Sequence, residues 1–259
     1  MYKAFRLKLN EFSYSSVGID DGAKYLSLGR SLMLKNKRNV DSSIRKYLSP
    51  EGVLQASEIE DDWFPAVDAD VFISHSHKDE PWVLAFAGYL LSLGLKPFVD
   101  FTIWGYADDL IKKIDDRYFL HNGTYDYDGC NYAASQVYLF LNSALQKMID
   151  NTGCVIFMDT PNSLKVSKES LGKTGSVWIY SELLMTNLVE KRKPRSVTAT
   201  FHLDEAAHEE FQIEYCTDLS HLGDLTMADF ERAVRYGKSG TKILDFLYGT
   251  LPRKVIRAQ

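Results

Sequence analysis

The sequence lacks any apolar run long enough to cross a bilayer. Its longest nearly uncharged stretch, residues 123–145, is interrupted by Asp126 and Asp128 and is rich in Tyr, Asn and Ser. A membrane-spanning helix needs ~20 consecutive apolar residues, so we expect neither a transmembrane segment nor a membrane partner. The apolar core of a signal peptide is also missing, because charged and apolar side chains alternate over residues 1–10.

Cysteines and excess positive charge are also scarce. Cys130, Cys154 and Cys216 lie far apart and form no C-x-x-C pair, a distribution typical of reduced, packed thiols in a cytoplasmic protein. The 30 basic residues are outnumbered by 35 acidic ones, which leaves a net charge of −5. This balance argues against a nucleic-acid partner held by a diffuse basic field.

Several common catalytic motifs are absent as well. The chain has no G-x-x-x-x-G-K-[ST], no G-x-G-x-x-G and no G-x-S-x-G. Walker-type nucleotide binding, classical dinucleotide dehydrogenases and α/β-hydrolases are therefore poorly supported. The pair His75-x-His77 has no matching Cys or acidic pair at a usual spacing, so we predict no metal site.

The residues that are present are those of a folded protein. Hydrophobic residues make up 45% of the 259 and charged residues 25%, close to the globular average, so a sizeable core can form. The first part of the chain differs from the rest. Asp20 and Asp21 can cap an amphipathic helix, and Ile44 and Tyr47 fit the inner face of a second, short one. We therefore predict a helical N-terminal extension over residues 1–66.

From Asp70 onward, short β-like runs alternate with helix-like segments. The predicted strands are Val71–Ile73, Lys96–Asp100, Cys154–Met158 and Val197–His202. The predicted helices are one capped by Asp79 and those over Gln136–Ile149, Ser176–Val189, Met227–Tyr236 and Lys242–Tyr248. The alternation predicts an α/β fold with a parallel sheet, followed by a C-terminal helical segment over residues 206–259.

Ligands bind outside the carboxyl ends of the strands in such sheets. This rule selects the loops that follow three of the strands: Ser74–Lys78, Asp100–Gly105 and Asp159–Asn162. Hydroxyl, imidazole and amide groups in the first loop can hydrogen-bond a ribose or a phosphate. The second loop carries Trp104, which can either close over a flat ring or simply pack against the helix below.

One helix carries an isolated acid. Glu182 is the single charged residue of Ser176–Val189, and helical spacing places it on one face with Trp178, Met185 and Val189. A carboxylate among apolar neighbours loses solvation, which raises its pKa and makes it a candidate functional group. The alternative is an ordinary surface glutamate in the middle of a helix.

Three blocks in order carry a resemblance to a known family. The segments Asp70–Asp79, Phe98–Gly105 and Thr174–Glu182 are similar to the first strand and loop, the second strand and BB loop, and the W-x-x-x-E segment of the Toll/interleukin receptor (TIR) family. The chain resembles the bacterial, anti-phage defence branch of that family, which includes Thoeris-like proteins. The resemblance covers roughly residues 68–205.

The resemblance implies a flavodoxin-like sheet (the TIR fold) over residues 67–205 and, as in many members, cleavage of NAD at the nicotinamide–ribose bond. It makes Glu182 the catalytic carboxylate. The substrate-binding residues that it implies are Ser74, His75, Asp100, Trp104 and Trp178. NAD is then the substrate, and no cofactor is expected. Self-association through TIR–TIR contacts and a separate effector protein that senses the product are the implied partners.

The chain departs from a minimal TIR domain by a Tyr-rich insertion at about residues 115–135 and by its two terminal segments. An insertion beside the cleft can exclude water, so we expect a cyclic or conjugated ADP-ribose signal rather than plain ADP-ribose. Two alternatives stay open at this stage: a non-catalytic TIR-like scaffold, and a different nucleotide-processing enzyme on the same fold.

Overall fold

The fold was analysed in a computed structural model, which describes residues 2–9, 22–36, 44–104, 107–166, 171–189 and 215–251. The strands are β1 (Lys3–Lys8), β2 (Val71–Ser74), β3 (Pro97–Phe98), β4 (Leu120–His121), β5 (Thr124–Tyr125), β6 (Cys154–Asp159), β7 (Lys165–Val166), β8 (Leu171–Thr174), β9 (Tyr215–Asp218) and β10 (Gly223–Leu225). The α-helices are α1 (Gly22–Asn36), α2 (Ala56–Trp63), α3 (Glu80–Ser92), α4 (Asp100–Ile103), α5 (Ala107–Tyr118), α6 (Tyr127–Asn151), α7 (Val177–Leu188), α8 (Met227–Arg235) and α9 (Thr241–Thr250). Short 3₁₀ turns lie at Ile44–Tyr47 and His77–Asp79.

Among the described residues, the main sheet has five parallel strands in the order β10-β1-β6-β2-β3. The predicted α/β class with a parallel sheet is confirmed, and the architecture is compatible with a flavodoxin-like fold. Counted from β2, the strands β3, β2 and β6 run in the 2-1-3 order of that fold. Strand β1 lies next to β6, and β10 forms the outer edge beyond it.

Helices cover both faces of this sheet, and the strand residues alternate between two apolar cores. Face A, covered by α2, α5, α6 and α7, receives Phe72, Val155 and Phe157. Face B, covered by α3, α8 and α9, receives Ile73 and Ile156 from the same two strands. Because both faces of β6 are buried, its run of apolar residues follows directly from its central position.

The prediction that residues 1–66 form a helical extension is wrong at its first element. Lys3–Lys8 form β1, a strand inside the sheet that pairs with β6 on one side and β10 on the other. Its alternation puts Phe5 and Leu7 into the core of face B. The helical part of the prediction holds for α1 and for the short turn at Ile44–Tyr47, whereas α2 was not predicted.

The region around the predicted strand Lys96–Asp100 also differs from its prediction. Only Pro97–Phe98 of the predicted strand Lys96–Asp100 pairs, at the edge of the sheet, and Asp100 already begins α4. The predicted insertion at about 115–135 consists of the end of α5, the exposed hairpin β4–β5 and the first turns of α6. Helix α6 therefore begins nine residues before the predicted Gln136, at Tyr127.

The C-terminal segment contributes strands as well as helices. Helices α8 and α9 match the predicted ones to within two residues, but β10 joins the main sheet and β9 pairs with β8 in a second, antiparallel sheet with β7. The main sheet thus uses residues from all three predicted segments, 1–66, 67–205 and 206–259. The predicted strand Val197–His202 lies outside the described residues.

Two glycines allow α1 and α3 to touch through their backbones. A Cβ atom built on Gly29 would lie 2.0 Å from the carbonyl oxygen of Leu84, and one built on Gly88 would lie 1.9 Å from that of Tyr25. These are impossible contacts for a real side chain. Gly29, which weakens α1 as an isolated helix, is therefore required by the packing of the two helices.

Within the described part of the chain, no helix is long and apolar enough to span a membrane. The cysteines are free thiols, as predicted, but their surroundings differ. Cys154 is buried in β6, where desolvation raises its pKa to about 12, whereas Cys216 is exposed. Only the first of these two thiols is packed.

Candidate active site

The chain reverses its direction across the sheet around β2. The segment after β2 leads to α3 on face B, whereas the segments after its two neighbours, β3 and β6, lead to α5 and α7 on face A. Loops that leave in opposite directions open a crevice at the carboxyl ends of adjacent strands, which is where α/β proteins bind ligands. Ser74, the last residue of β2, lies at this point and faces the same side as Phe72.

Helix α7 brings Glu182 to this crevice. The Ser74 hydroxyl donates a hydrogen bond to Oε2 of Glu182 at 2.5 Å, and both side chains are buried. Helix α7 starts where Ser176 caps it, by accepting a hydrogen bond from the backbone N–H of Ile179. Ile179 and Leu183 pack into the core of face A and hold the helix against the sheet.

Burial dominates the electrostatics of Glu182. Its side chain is only 6% exposed, and desolvation raises its pKa to about 8. The hydrogen bond from Ser74 lowers this pKa, while the nearby carboxylate of Asp100 raises it. Glu182 is thus a buried acid and not a surface glutamate, and its inward face includes Val189 and the partly buried Trp178 and Met185.

His75 and Asp100 come from adjacent strand ends and lie side by side. Nδ1 of His75 is 3.0 Å from the carbonyl oxygen of Ile73, and Nε2 is 3.7 Å from Oδ1 of Asp100. The same Oδ1 accepts a hydrogen bond of 2.7 Å from the backbone N–H of Phe101. The ring of Phe101 contacts His75 edge-on, with 5.3 Å between centroids, while His77 is exposed.

A buried carboxylate fastens the loops after β2 and β6 to each other. Asp79 is completely buried and accepts hydrogen bonds from the Thr160 hydroxyl at 2.5 Å and from the Asn162 side chain at 2.6 Å. The sequence predicted Asp79 as the cap of α3; it occupies that position but makes no side-chain capping bond. Its role is to tie together two of the loops that border the crevice.

The two predicted tryptophans have different surroundings. Trp104 is 7% exposed, donates its indole N–H to the carbonyl of Pro65 at 3.0 Å and contacts the rings of Phe64 and Phe98. These contacts correspond to the packing alternative, in which the ring belongs to the core and not to a lid. Trp178 is half-buried beside Tyr138, with 5.9 Å between ring centroids.

One pair near the crevice was missed in the sequence. Arg6 of β1 donates to Asp159 at the end of β6, with a distance of 2.8 Å from its Nε to Oδ2. Both side chains are largely buried. The alternation of apolar and charged side chains over Lys3–Lys8 is typical of a strand, and this pattern could have identified the pair.

No group of three or more His, Cys, Asp or Glu side chains among the described residues could hold a metal ion.

The structure brings together four groups at the crevice: a buried carboxyl, a hydroxyl bonded to it, an imidazole and a second carboxylate. Such a set can hydrogen-bond the hydroxyl groups of a sugar and can stabilise a developing positive charge.

Comparisons with known proteins assign no family: no family model matches the chain, and neither a curated protein nor a solved structure matches it.

Proposed function

We propose that this protein cleaves the nicotinamide–ribose bond of NAD, with Glu182 as the catalytic carboxylate. The observation that carries the proposal is the hydrogen bond of 2.5 Å between Ser74 and Glu182, at the point where the chain reverses direction across the sheet. It brings together two of the three sequence blocks that resemble the TIR family. The TIR fold itself, over residues 67–205, is part of the proposal.

The chemistry requires one well-placed carboxylate. When the bond breaks, its electron pair moves to the pyridinium nitrogen, so nicotinamide leaves as a neutral molecule and needs no general acid. The ribose carbon becomes an oxocarbenium-like cation, as in glycoside cleavage. An ionised Glu182 beside it stabilises that charge, and water or another nucleophile then adds to the cation.

The raised pKa of Glu182, about 8, fits an acid that is activated by its substrate. At pH 7 the protonated form of Glu182 therefore predominates in the free protein. The nicotinamide ring of NAD is positively charged, and a positive charge beside a carboxylate lowers its pKa. Substrate binding is therefore expected to drive the proton off Glu182 and to create the form that the reaction needs.

We further propose that the product is a signal, a cyclic or conjugated form of ADP-ribose that a separate effector protein senses in bacterial anti-phage defence. The Tyr-rich insertion supports this part only by its composition. Tyr125, Tyr127 and Tyr132 are exposed, and the hydroxyl of Tyr125 donates to Asp116 at 2.5 Å. Mass spectrometry of the product decides: linear ADP-ribose alone contradicts the signalling proposal and leaves the cleavage proposal intact.

The test of cleavage is nicotinamide release from NAD by the purified full chain. Glu182→Gln keeps the size of the side chain and an acceptor for Ser74, and we expect it to lower the rate by at least ~100-fold. Glu231→Gln, an exposed glutamate on α8, is the matched control and should retain full activity. Full activity in Glu182→Gln removes this residue from the mechanism. No release by the wild type at any protein concentration contradicts the proposal.

The second candidate function, a non-catalytic scaffold, is favoured by one surface. Val177, Leu184 and Leu188 form an exposed apolar stripe along α7, on a different side from Glu182. Such a stripe suits contact with a second copy of the chain. A scaffold would assemble, as seen by light scattering, without releasing nicotinamide, and a catalytic TIR-like protein would do both.

A further inference from the structure

We propose that His75 and Asp100 together bind two adjacent hydroxyl groups of the substrate ribose, and that His75 thereby makes the site specific for a sugar with an intact vicinal diol. The proposal rests on the proposed function for the identity of the sugar. Its structural basis is a polar atom that the fold buries without a partner, in the crevice that also holds Glu182.

The unpartnered atom is Nε2 of His75. His75 is 7% exposed as a residue, and its Nε2 is buried with no hydrogen-bond partner among the described residues. Its neighbour, Oδ1 of Asp100, is 3.7 Å away, which is too far for a hydrogen bond. Buried polar atoms are nearly always paired, so an orphan at the carboxyl edge of the sheet points to a missing ligand.

The hydrogen bond at the other ring nitrogen of His75, Nδ1, determines which kind of ligand Nε2 can bind. Nδ1 lies 3.0 Å from the carbonyl oxygen of Ile73, which can only accept, so Nδ1 carries the proton. In the neutral imidazole Nε2 is then an acceptor. Two acceptors 3.7 Å apart, Nε2 of His75 and Oδ1 of Asp100, suit two neighbouring hydroxyl donors. A phosphate or a carboxylate would bring only acceptors to the same place.

The rings of Phe101 and His77 pack around the imidazole of His75. The ring of Phe101 lies edge-on to His75 at 5.3 Å and is 6.2 Å from the exposed ring of His77. Because Nε2 is buried, a sugar reaches it only when a neighbouring side chain moves. Oε2 of Glu182 already accepts a hydrogen bond from Ser74, whereas Nε2 of His75 has no partner among the described residues, so we assign the diol to His75 and Asp100.

The test is calorimetric binding of two probes to the full chain. One is ADP-ribose, and the other is its analogue with hydrogen in place of two adjacent hydroxyl groups on the terminal ribose. The wild type should bind ADP-ribose about 30-fold more tightly, as expected for two hydrogen bonds. His75→Ala should reduce this preference to about fivefold through weaker binding of ADP-ribose alone. His121→Ala, an exposed histidine on β4, is the matched control and should keep the full preference.

Each outcome decides. No preference in the wild type, no binding of either probe, or an unchanged preference in His75→Ala overturns the proposal, and water is then the partner of Nε2. His75→Gln, which offers an acceptor at a similar reach, should restore part of the preference and also serves if the alanine variant does not fold. Nicotinamide release is assayed separately. A His75-dependent preference without NAD cleavage refutes the proposed activity alone, and cleavage without that preference refutes only the role of His75.

Discussion

Glu182 couples chemistry to stability at the scale of a single residue. Its burial raises the pKa to about 8, so the folded protein holds a proton that the unfolded chain releases near its ordinary value of 4.5. Between these two values the unfolded state binds fewer protons than the folded state. The contribution of Glu182 to the free energy of unfolding therefore falls as the pH rises.

We predict that Glu182→Gln removes this pH dependence. The free energy of unfolding of the wild type should decline relative to the variant by ~1.4 kcal/mol per pH unit between about pH 5 and pH 8. Glutamine keeps the volume and still accepts from Ser74, so the variant should be the more stable protein at pH 8. Urea unfolding of both proteins at several pH values measures the difference, since other titrating groups cancel. Parallel pH profiles would show that Glu182 is ionised in the fold.

At the scale of elements, the pair α1 and α3 depends on two glycines that bring their backbones into contact. Gly29 and Gly88 each face a carbonyl oxygen of the other helix at a distance that admits no Cβ atom. The glycines weaken both helices in isolation, and the close packing offsets that cost. The contact also supports the site, because α3 follows directly from the turn at His77–Asp79 that borders the crevice.

We predict that Gly88→Ala destabilises the protein by ~1–3 kcal/mol, because the two helices must move apart. Gly249→Ala is the matched control, since Gly249 lies in α9 with nothing within 4 Å of an added Cβ. That change should be neutral or stabilise by up to ~1 kcal/mol through helix propensity. Thermal and urea unfolding compare the two variants. Equal free energies of unfolding for the two variants would mean that the backbones of α1 and α3 are not in contact at Gly88.

At the scale of the whole molecule, the first strand joins the N-terminal, central and C-terminal parts of the chain in one sheet. Strand β1 lies between β6 and β10, so residues 3–8 connect the strands β3, β2 and β6 to the C-terminal strand β10. Lys3 strengthens this connection by donating to the backbone carbonyls of Tyr248 and Leu251 at the end of α9. Strand β1 and helix α9 therefore belong to one core.

We predict that this strand is essential for global stability. Leu7 is 1% exposed in the core of face B, and Leu7→Ala should cost ~2–5 kcal/mol. Leu34→Ala on α1 removes an equal side chain that is 76% exposed, and it should change stability by less than ~0.5 kcal/mol. Urea unfolding followed by circular dichroism measures both. A small effect of Leu7→Ala would instead support the prediction that this segment is an N-terminal extension outside the main core.

The sequence by itself determined those features that depend on neighbours in the chain. The apolar run Cys154–Met158 predicted a doubly covered strand. The spacing of Ser176–Val189 placed its single acid on a face with apolar neighbours, although a surface glutamate remained the alternative. The loops after the strands were selected by the general rule for parallel sheets, and Ser74 and Asp100 do lie there. Each of these inferences uses local periodicity, which the final packing preserves.

Only the tertiary structure decided which distant groups meet. The alternation of Lys3–Lys8 fits a strand anywhere, and its place between β6 and β10 depends on pairing with residues far along the chain. The sequence predicted Asp79 as a helix cap. Its buried carboxylate instead accepts hydrogen bonds from Thr160 and Asn162, because the fold places the loop after β6 beside it. Ser74 and Glu182 are 108 residues apart, and their contact arises from the register of the sheet and the packing of α7 on face A. The physical reason is that such contacts depend on the arrangement of several elements at once, which no local pattern encodes.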